Sequence, residues 1–270
     1  EGPFFQSERL KRHQKIAKDL LEDRKAYRCF CSMELLAEKR KSSTSTGKVW
    51  KYDGTCRDLN QEQVQNMLQQ KKKSVLRFKS PVRGSICFED KVFGDIVHQM
   101  EAIEDFVLVR SDLKPTYHLG VVVDDIDMGV THIIRGADHI SNTPKQILLY
   151  RAMGKTIPVF AHLPLILGLD KTRLSKRHGA TALTTYRDKG YLPESFRNFL
   201  ALLGWAPNDG SETLLDEELI SQFSLKGVSK SNAVFDVDKL KWFNSQKLSS
   251  STAEKLLPYV KTELKSFGLW

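Results

Sequence analysis

Two nearly continuous apolar stretches, at residues 117–123 and 130–134, restrict the fold more than any other feature of the sequence. Apolar residues that do not alternate with polar ones suit strands covered on both faces, so these stretches predict a sheet inside an α/β layer. Ahead of them, short β-rich segments at 75–78, 85–88, 92–97 and 106–110 are broken by Gly, Pro and Asp, which predicts a compact antiparallel insertion. Residues 164–167 predict one further strand. With 270 residues, 40% of them hydrophobic, the chain can bury one large core or two modest ones. Runs such as 121–123 and 199–203 fall far short of the roughly 20 apolar residues that a membrane-spanning helix needs.

Helical punctuation is clearest at both ends. Residues 7–23 carry Leu10, Ala17, Leu20 and Leu21 on one face, with Ser7 placed as N-cap. Asn60 with Gln63 forms a capping-box pattern, and T-P-K-Q at 143–146 predicts a helix over 144–153 closed by Gly154. Four more helices are expected at 193–203, 216–223, 236–244 and 252–267, the last with a capping box at Ser251 and Glu254 and a kink at Pro258. The Ser/Thr stretch at 42–47 and the polar stretch at 168–179 have no apolar period and read as loops.

Lys and Arg exceed Asp and Glu by 42 to 33, a net charge of +9. That excess suits a polyanionic partner such as nucleic acid, and equally a basic solvated surface. Cys29, Cys31 and Cys56 cluster as a metal site or as reduced thiols would, rather than as a disulfide framework. Cys87, between Ile86 and Phe88, reads as a small packing residue, and Asp124 with Asp125 as a turn-forming, partly exposed pair. His13, His98, His118, His132 and His162 show no hydrolase spacing.

The basic loop from Arg173 to Gly179 carries Lys176 and Arg177, cations that can converge on phosphates or simply face solvent. Its Arg173-Leu174-Ser175-Lys176-Arg177 resembles the KMSKS signature of class I aminoacyl-tRNA synthetases, in the form used by bacterial-type glutamyl-tRNA synthetases. Other blocks resemble that family in the same order: residues 105–112, Pro115-Thr116-Tyr117-His118-Leu119, Val122-Val123-Asp124-Asp125, Arg135-Gly136-Ala137-Asp138-His139 and 141–146. The likeness runs from Gln6 to about Asn244.

The resemblance implies ATP-dependent activation of L-glutamate to glutamyl-adenylate, then transfer to the 3′ end of tRNA(Glu). It implies that Tyr117 and Arg135 bind glutamate, and that Asp138, His139, Arg173, Leu174, Ser175, Lys176 and Arg177 contact ATP, with Mg²⁺ accompanying the nucleotide. Lys176 and Arg177 are the implied catalytic cations. The implied fold is the second half of a Rossmann-like catalytic domain, divided as a helix at 1–24, an acceptor-binding insertion at 25–115, the nucleotide-binding half at 116–181 and an all-α stem-contact domain at 182–270. Cys29, Cys31 and Cys56 fall in a zinc subdomain at 29–58, where Asp58 and Tyr52 compete as the fourth ligand; the alternative is a zinc-free version of the same subdomain. A monomer without membrane contact is implied, in a bacterial cytoplasm or an organelle matrix. Charging of tRNA(Gln) beside tRNA(Glu) stays open.

Two rivals share some of these features. A truncated paralogue that glutamylates a modified base would end soon after the signature loop, whereas helices are expected here through residue 267. A silent tRNA-binding module would have no chemical use for Tyr117, Arg135 and Lys176 together. The sequence begins with Glu1 and carries neither the family's HIGH motif nor an anticodon-reading domain after Trp270, so it is expected to be an inner portion of a longer protein. These 270 residues by themselves are therefore predicted to show no glutamate-dependent ATP–pyrophosphate exchange, even with tRNA added, and measurable exchange would overturn that expectation.

Overall fold

The computed structural model describes residues 2–45, 47, 50–175 and 182–270. Contacts divide the chain into two units: Glu1–Asp90, Gly94–Ile133 and His139–Phe160 form one, and Lys91–Phe93, Ile134–Asp138 and Ala161–Trp270 the other. In chain order the elements are α1 (Leu10–Glu22), β1 (Ala26–Cys29), α2 (Met33–Ser45), α3 (Gln61–Gln69), β2 (Val75–Phe78), β3 (Ser85–Asp90), β4 (Gly94–Gln99), β5 (Val107–Val109), α4 (Tyr117–Asp127), β6 (His132–Gly136), α5 (Thr143–Ala152), β7 (Val159–Leu163), β8 (Ile166–Leu167), α6 (Leu183–Asp188), α7 (Pro193–Leu202), α8 (Asp216–Gln222), β9 (Ala233–Val234), α9 (Val237–Ser250) and α10 (Ala253–Ser266).

The expected antiparallel group divides into two sheets. One is antiparallel in the order β1-β2-β5, and in the other β3 and β4 form a hairpin from Ser85↔Gln99 to Asp90↔Gly94. β3 also pairs with β7 in parallel at Asp90↔Phe160. Alternation along β3 buries Ile86 and Phe88 and turns Cys87 outward, so Cys87 is exposed rather than a packing residue.

The first apolar stretch is a helix, not a strand. Leu119, Val122 and Val123 lie at helical spacing and are buried in α4, with Ile126 packed beside them. Val121 and the β-branched composition mask that stripe, because valine-rich runs satisfy strand and helix patterns alike. The second stretch does form a strand, β6. The polar segment at 42–45 ends α2 instead of forming a loop: Ser42 and Thr44 donate their hydroxyls to the carbonyls of Glu38 and Arg40, four residues back.

Capping expectations hold unevenly. Asn60 and Gln63 form the box that opens α3. Ser7 lies in a 3-10 turn (Gln6–Arg9) before α1, and α5 opens after Asn142, with Thr143 donating to the His139 carbonyl at 3.3 Å. At α10 the cap is Thr252, which accepts from Lys255 N–H, one residue beyond the expected Ser251. Gly154 follows α5 at φ +62°, a left-handed turn that suits a residue without Cβ.

The first unit's core joins Leu119, Val122 and Val123 of α4 to Ile147, Leu148 and Leu149 of α5, over Ile86, Leu108 and Phe160. At its edge Asp124 is buried, not turn-forming. Arg9 Nε lies 2.6 Å and His13 Nε2 2.8 Å from one carboxylate oxygen, and Gln6 Nε2 donates to the other at 3.2 Å. Gln6 crosses Gly120 so closely that a Cβ there would meet its Nε2 at 2.8 Å. Arg9 and Arg12 both reach Asp127 one turn on.

The second unit packs Tyr186, Phe196, Phe199, Phe235, Leu240 and Phe243 into one cluster, and Trp205, Leu214, Val228 and Ala161 into another. Asn198 joins α7 to the segment before α8, donating to Glu212 O and accepting from Leu214 N–H. β8 and β9 pair in parallel. Among the described residues no helix is long and apolar enough to cross a membrane.

Burial raises the Asp124 pKa, but the hydrogen bonds from Arg9, His13 and Gln6 outweigh it and hold the carboxyl below its ordinary range. Its stabilising effect is therefore present above the unfolded carboxyl pKa of about 3.9 and lost as pH falls through the folded value. Asp124→Asn is predicted to cost about 3 kcal/mol in urea unfolding at pH 7, with the deficit shrinking below about pH 4.

Candidate functional site

Tyr117 is the first residue of α4, where Thr116 anchors the turn by donating its hydroxyl to Val107 O at 2.7 Å. Its ring is 46% exposed, enough to meet a ligand. The phenol hydroxyl lies 3.3 Å from His139 Nδ1, with the two rings 5.7 Å apart. His139 sits in the 3-10 turn Ala137–Asn142 that leads into α5, and Asn142 Nδ2 lies 3.1 Å from the same ring nitrogen.

In the second unit, Arg135 near the end of β6 donates its Nε to His162 Nε2 at 3.2 Å. His162 on β7 is fully buried, so it offers the guanidinium a fixed acceptor. A carboxylate gripped by the two Nη atoms is compatible with that bond, since the fork and Nε point along different edges of the plane. Asp138 pairs with Arg173 at 2.8 Å. The loop bearing Arg173 folds back on β8 through Gly168 N–H to Thr172 O at 2.8 Å and Leu174 N–H to Ile166 O at 2.9 Å. Leu174 packs against the aromatic cluster of the helical part, and Ser175 follows it. Lys176 and Arg177, the expected catalytic cations, lie outside the described residues.

The three cysteines meet as expected from their spacing. Cys29, Cys31 and Cys56 place their sulfurs within 4.8 Å of one another, and Cys31 Sγ is 3.6 Å from Cys56 Sγ. Tetrahedral zinc–thiolate geometry requires sulfurs about 3.8 Å apart, so the set fits that ion. The Tyr52 hydroxyl is the fourth polar atom at this cluster: Cys29 Sγ donates to it at 3.3 Å, Cys56 N–H donates at 3.0 Å, and Cys31 Sγ lies 3.7 Å away. Asp58 stands elsewhere, exposed and 3.6 Å from Lys79. Burial pushes the Cys31 thiol up to about 12, aided by its neighbours Cys29 and Cys56. Burial also opposes ionisation of Cys29, but its bond to Tyr52 and the nearby Arg77 leave it below the usual thiol range. One cation would resolve that mixture by neutralising the charge of several thiolates at once.

Arg77 and His162 are partners that motif reading did not single out. Arg77 is buried in β2 with its guanidinium 3.8 Å above the Tyr52 ring, and it donates to Asp105 O at 2.7 Å. The available signal was a lone arginine inside the apolar run Val75-Leu76-Arg77-Phe78. A buried charge of that kind needs a specific partner.

Residues 1–242 match the family model for the catalytic domain of class I tRNA synthetases for E and Q. The chain belongs to this family. It is 54% identical over 270 residues to glutamate–tRNA ligase 2 of Koribacter versatilis, and 47% identical over 269 residues to glutamate–tRNA ligase 1 of Caldanaerobacter subterraneus subsp. tengcongensis. Both matches cover 100% of the chain and 56% of the relative, so the chain spans about half the length of these curated proteins. A crystal structure of a glutamate tRNA ligase from Elizabethkingia meningosepticum, in complex with its amino acid, superposes with a TM-score of 0.89 at 35% identity, covering 100% of this chain and 59% of that one. The architecture is accordingly that of a class I synthetase: a Rossmann-like α/β part with a helical region.

Proposed function

We propose that this chain serves a glutamate–tRNA ligase, forming glutamyl-adenylate from L-glutamate and ATP and passing the glutamyl group to the 3′ end of tRNA(Glu). The observation that carries this reading is the likeness over the whole chain, in sequence and in structure, to proteins named glutamate–tRNA ligases. Arg135, steadied by His162, takes a carboxylate of glutamate, and neutral glutamine is disfavoured because it leaves the guanidinium without its counter-charge. Tyr117 binds the same amino acid. Asp138, Arg173, Leu174 and Ser175 line the nucleotide side, with Lys176 and Arg177 following them in sequence, whereas His139, expected there too, lies against Tyr117.

No side-chain nucleophile is needed. The carboxylate oxygen of glutamate attacks the α-phosphorus of ATP in line, pyrophosphate leaves, and a terminal ribose hydroxyl of tRNA then displaces AMP. Lys176 and Arg177, with Mg²⁺ on the nucleotide, neutralise charge developing on the leaving pyrophosphate. Residues 25–115 contact the acceptor end and residues 182–270 the stem, in keeping with the net charge of +9. We assign the protein to a bacterial cytoplasm as a monomer; its relatives are bacterial, and none of this favours an organelle matrix. Cys29, Cys31, Cys56 and Tyr52 hold zinc, which when bound supplies a structural cross-link rather than chemistry.

In the full-length polypeptide, tRNA-dependent attachment of radiolabelled glutamate is expected, and Lys176→Ala should slow it about a hundredfold, equivalent to roughly 3 kcal/mol of transition-state stabilisation. Binding of tRNA without any charging would overturn the reading in favour of a silent tRNA-binding module. For the metal, zinc competition titrations should show Cys31→Ala weakening affinity by more than about tenfold and Asp58→Ala leaving it unchanged. Dependence on Asp58 would instead contradict Tyr52 as the fourth ligand.

A further inference from the structure

His139 touches Tyr117, the residue assigned to the amino acid. We propose that His139 is a positioning residue for glutamate, acting through the hydroxyl of Tyr117; the inference rests on the glutamate–tRNA ligase reading.

The convergence of two polar groups on one ring nitrogen carries the argument. Asn142 Nδ2 lies 3.1 Å from His139 Nδ1, and an amide NH₂ group can only donate. The Tyr117 hydroxyl lies 3.3 Å from that same nitrogen, so the amide and the phenol meet on one edge of the imidazole. The contact holds the phenol oxygen in place and sets which part of the ring is left to meet a ligand. Sequence proximity would not produce the contact, since the two residues are 22 positions apart.

The histidine is itself held in place by the helix that follows. Thr143, the first residue of α5, donates its hydroxyl to the His139 carbonyl at 3.3 Å. α5 packs on α4, whose first residue is Tyr117, through Ile147, Leu148, Leu119 and Val123. The helix pair thus closes a circuit, α4 to Tyr117 to His139 to α5, with the imidazole bridging Tyr117 and the turn at Ala137–Asn142.

The test is a double-mutant cycle in full-length protein, following KM for glutamate and for ATP separately. His139→Ala and Tyr117→Phe should each raise the glutamate KM about fivefold to tenfold, and the double variant should be no worse than either, because both remove the same interaction. The ATP KM should stay within about twofold. His139→Asn, whose Oδ1 stands near the Nδ1 position, should recover most of the loss, which guards against a variant that simply fails to fold. A raised ATP KM with glutamate unaffected, multiplicative effects in the double variant, or no rescue by Asn would each overturn the proposal. Failure of the unmutated protein to charge glutamate at all would overturn the underlying reading, and the inference with it.

Discussion

A carboxylate cannot be left bare inside a protein, and the first unit is organised around meeting that demand at Asp124. Four groups close on its position: Gln6, Arg9 and His13 bond to it directly, and Gly120 leaves room for Gln6 to cross α4. Breaking such a set leaves a buried charge without partners, which costs more than any one surface pair contributes. The arrangement therefore fixes the rotation and height of α1 against α4. Tyr117 opens that same helix, so the residue assigned to glutamate is held at the end of a rod whose register the polar cluster sets. The aliphatic packing of α4 on α5 supplies the bulk of the burial, while the polar cluster supplies the specificity of alignment.

The polar and charged groups assigned to ligands arrive already engaged with protein partners. Arg135 is braced by buried His162, Arg173 is drawn to Asp138, and the Tyr52 hydroxyl gathers two sulfurs and a backbone N–H. Such bracing keeps long side chains near one conformer before a ligand arrives, which lowers the entropy lost on binding. It also explains why an arginine, and not a lysine, suits position 135: one edge of the guanidinium bonds inward while a different edge can meet a carboxylate.

How much of this was legible in the sequence depended on whether the deciding contact was local. The box at Asn60 and Gln63 and the turn glycine at Gly154 are local, and both were read correctly. Residues 117–123 look like a strand in sequence because valine side chains satisfy either period, and only burial against α5 selects the helix. The polar end of α2 looks like a loop in sequence, because the bonds its serine and threonine hydroxyls make within the helix leave no periodic pattern. The three cysteines were legible from spacing. The geometry that brings Tyr52 to them and leaves Asp58 with Lys79 was not, since it depends on how the segment between Tyr52 and Asp58 turns. The burial of Asp124 is hidden from the sequence for the same reason: three of its partners lie more than 100 positions away in the chain.

The central claim is that Arg135 recognises the negative charge of glutamate. It is tested most directly by equilibrium binding of glutamate and glutamine to the full-length protein in the presence of tRNA(Glu), before and after Arg135→Gln. The account predicts a preference for glutamate of about a hundredfold, the scale of a charge-assisted bidentate pair, which collapses to nearly none in the variant. Equal affinity for the two amino acids in the unaltered protein, or an unchanged preference in Arg135→Gln, would contradict it.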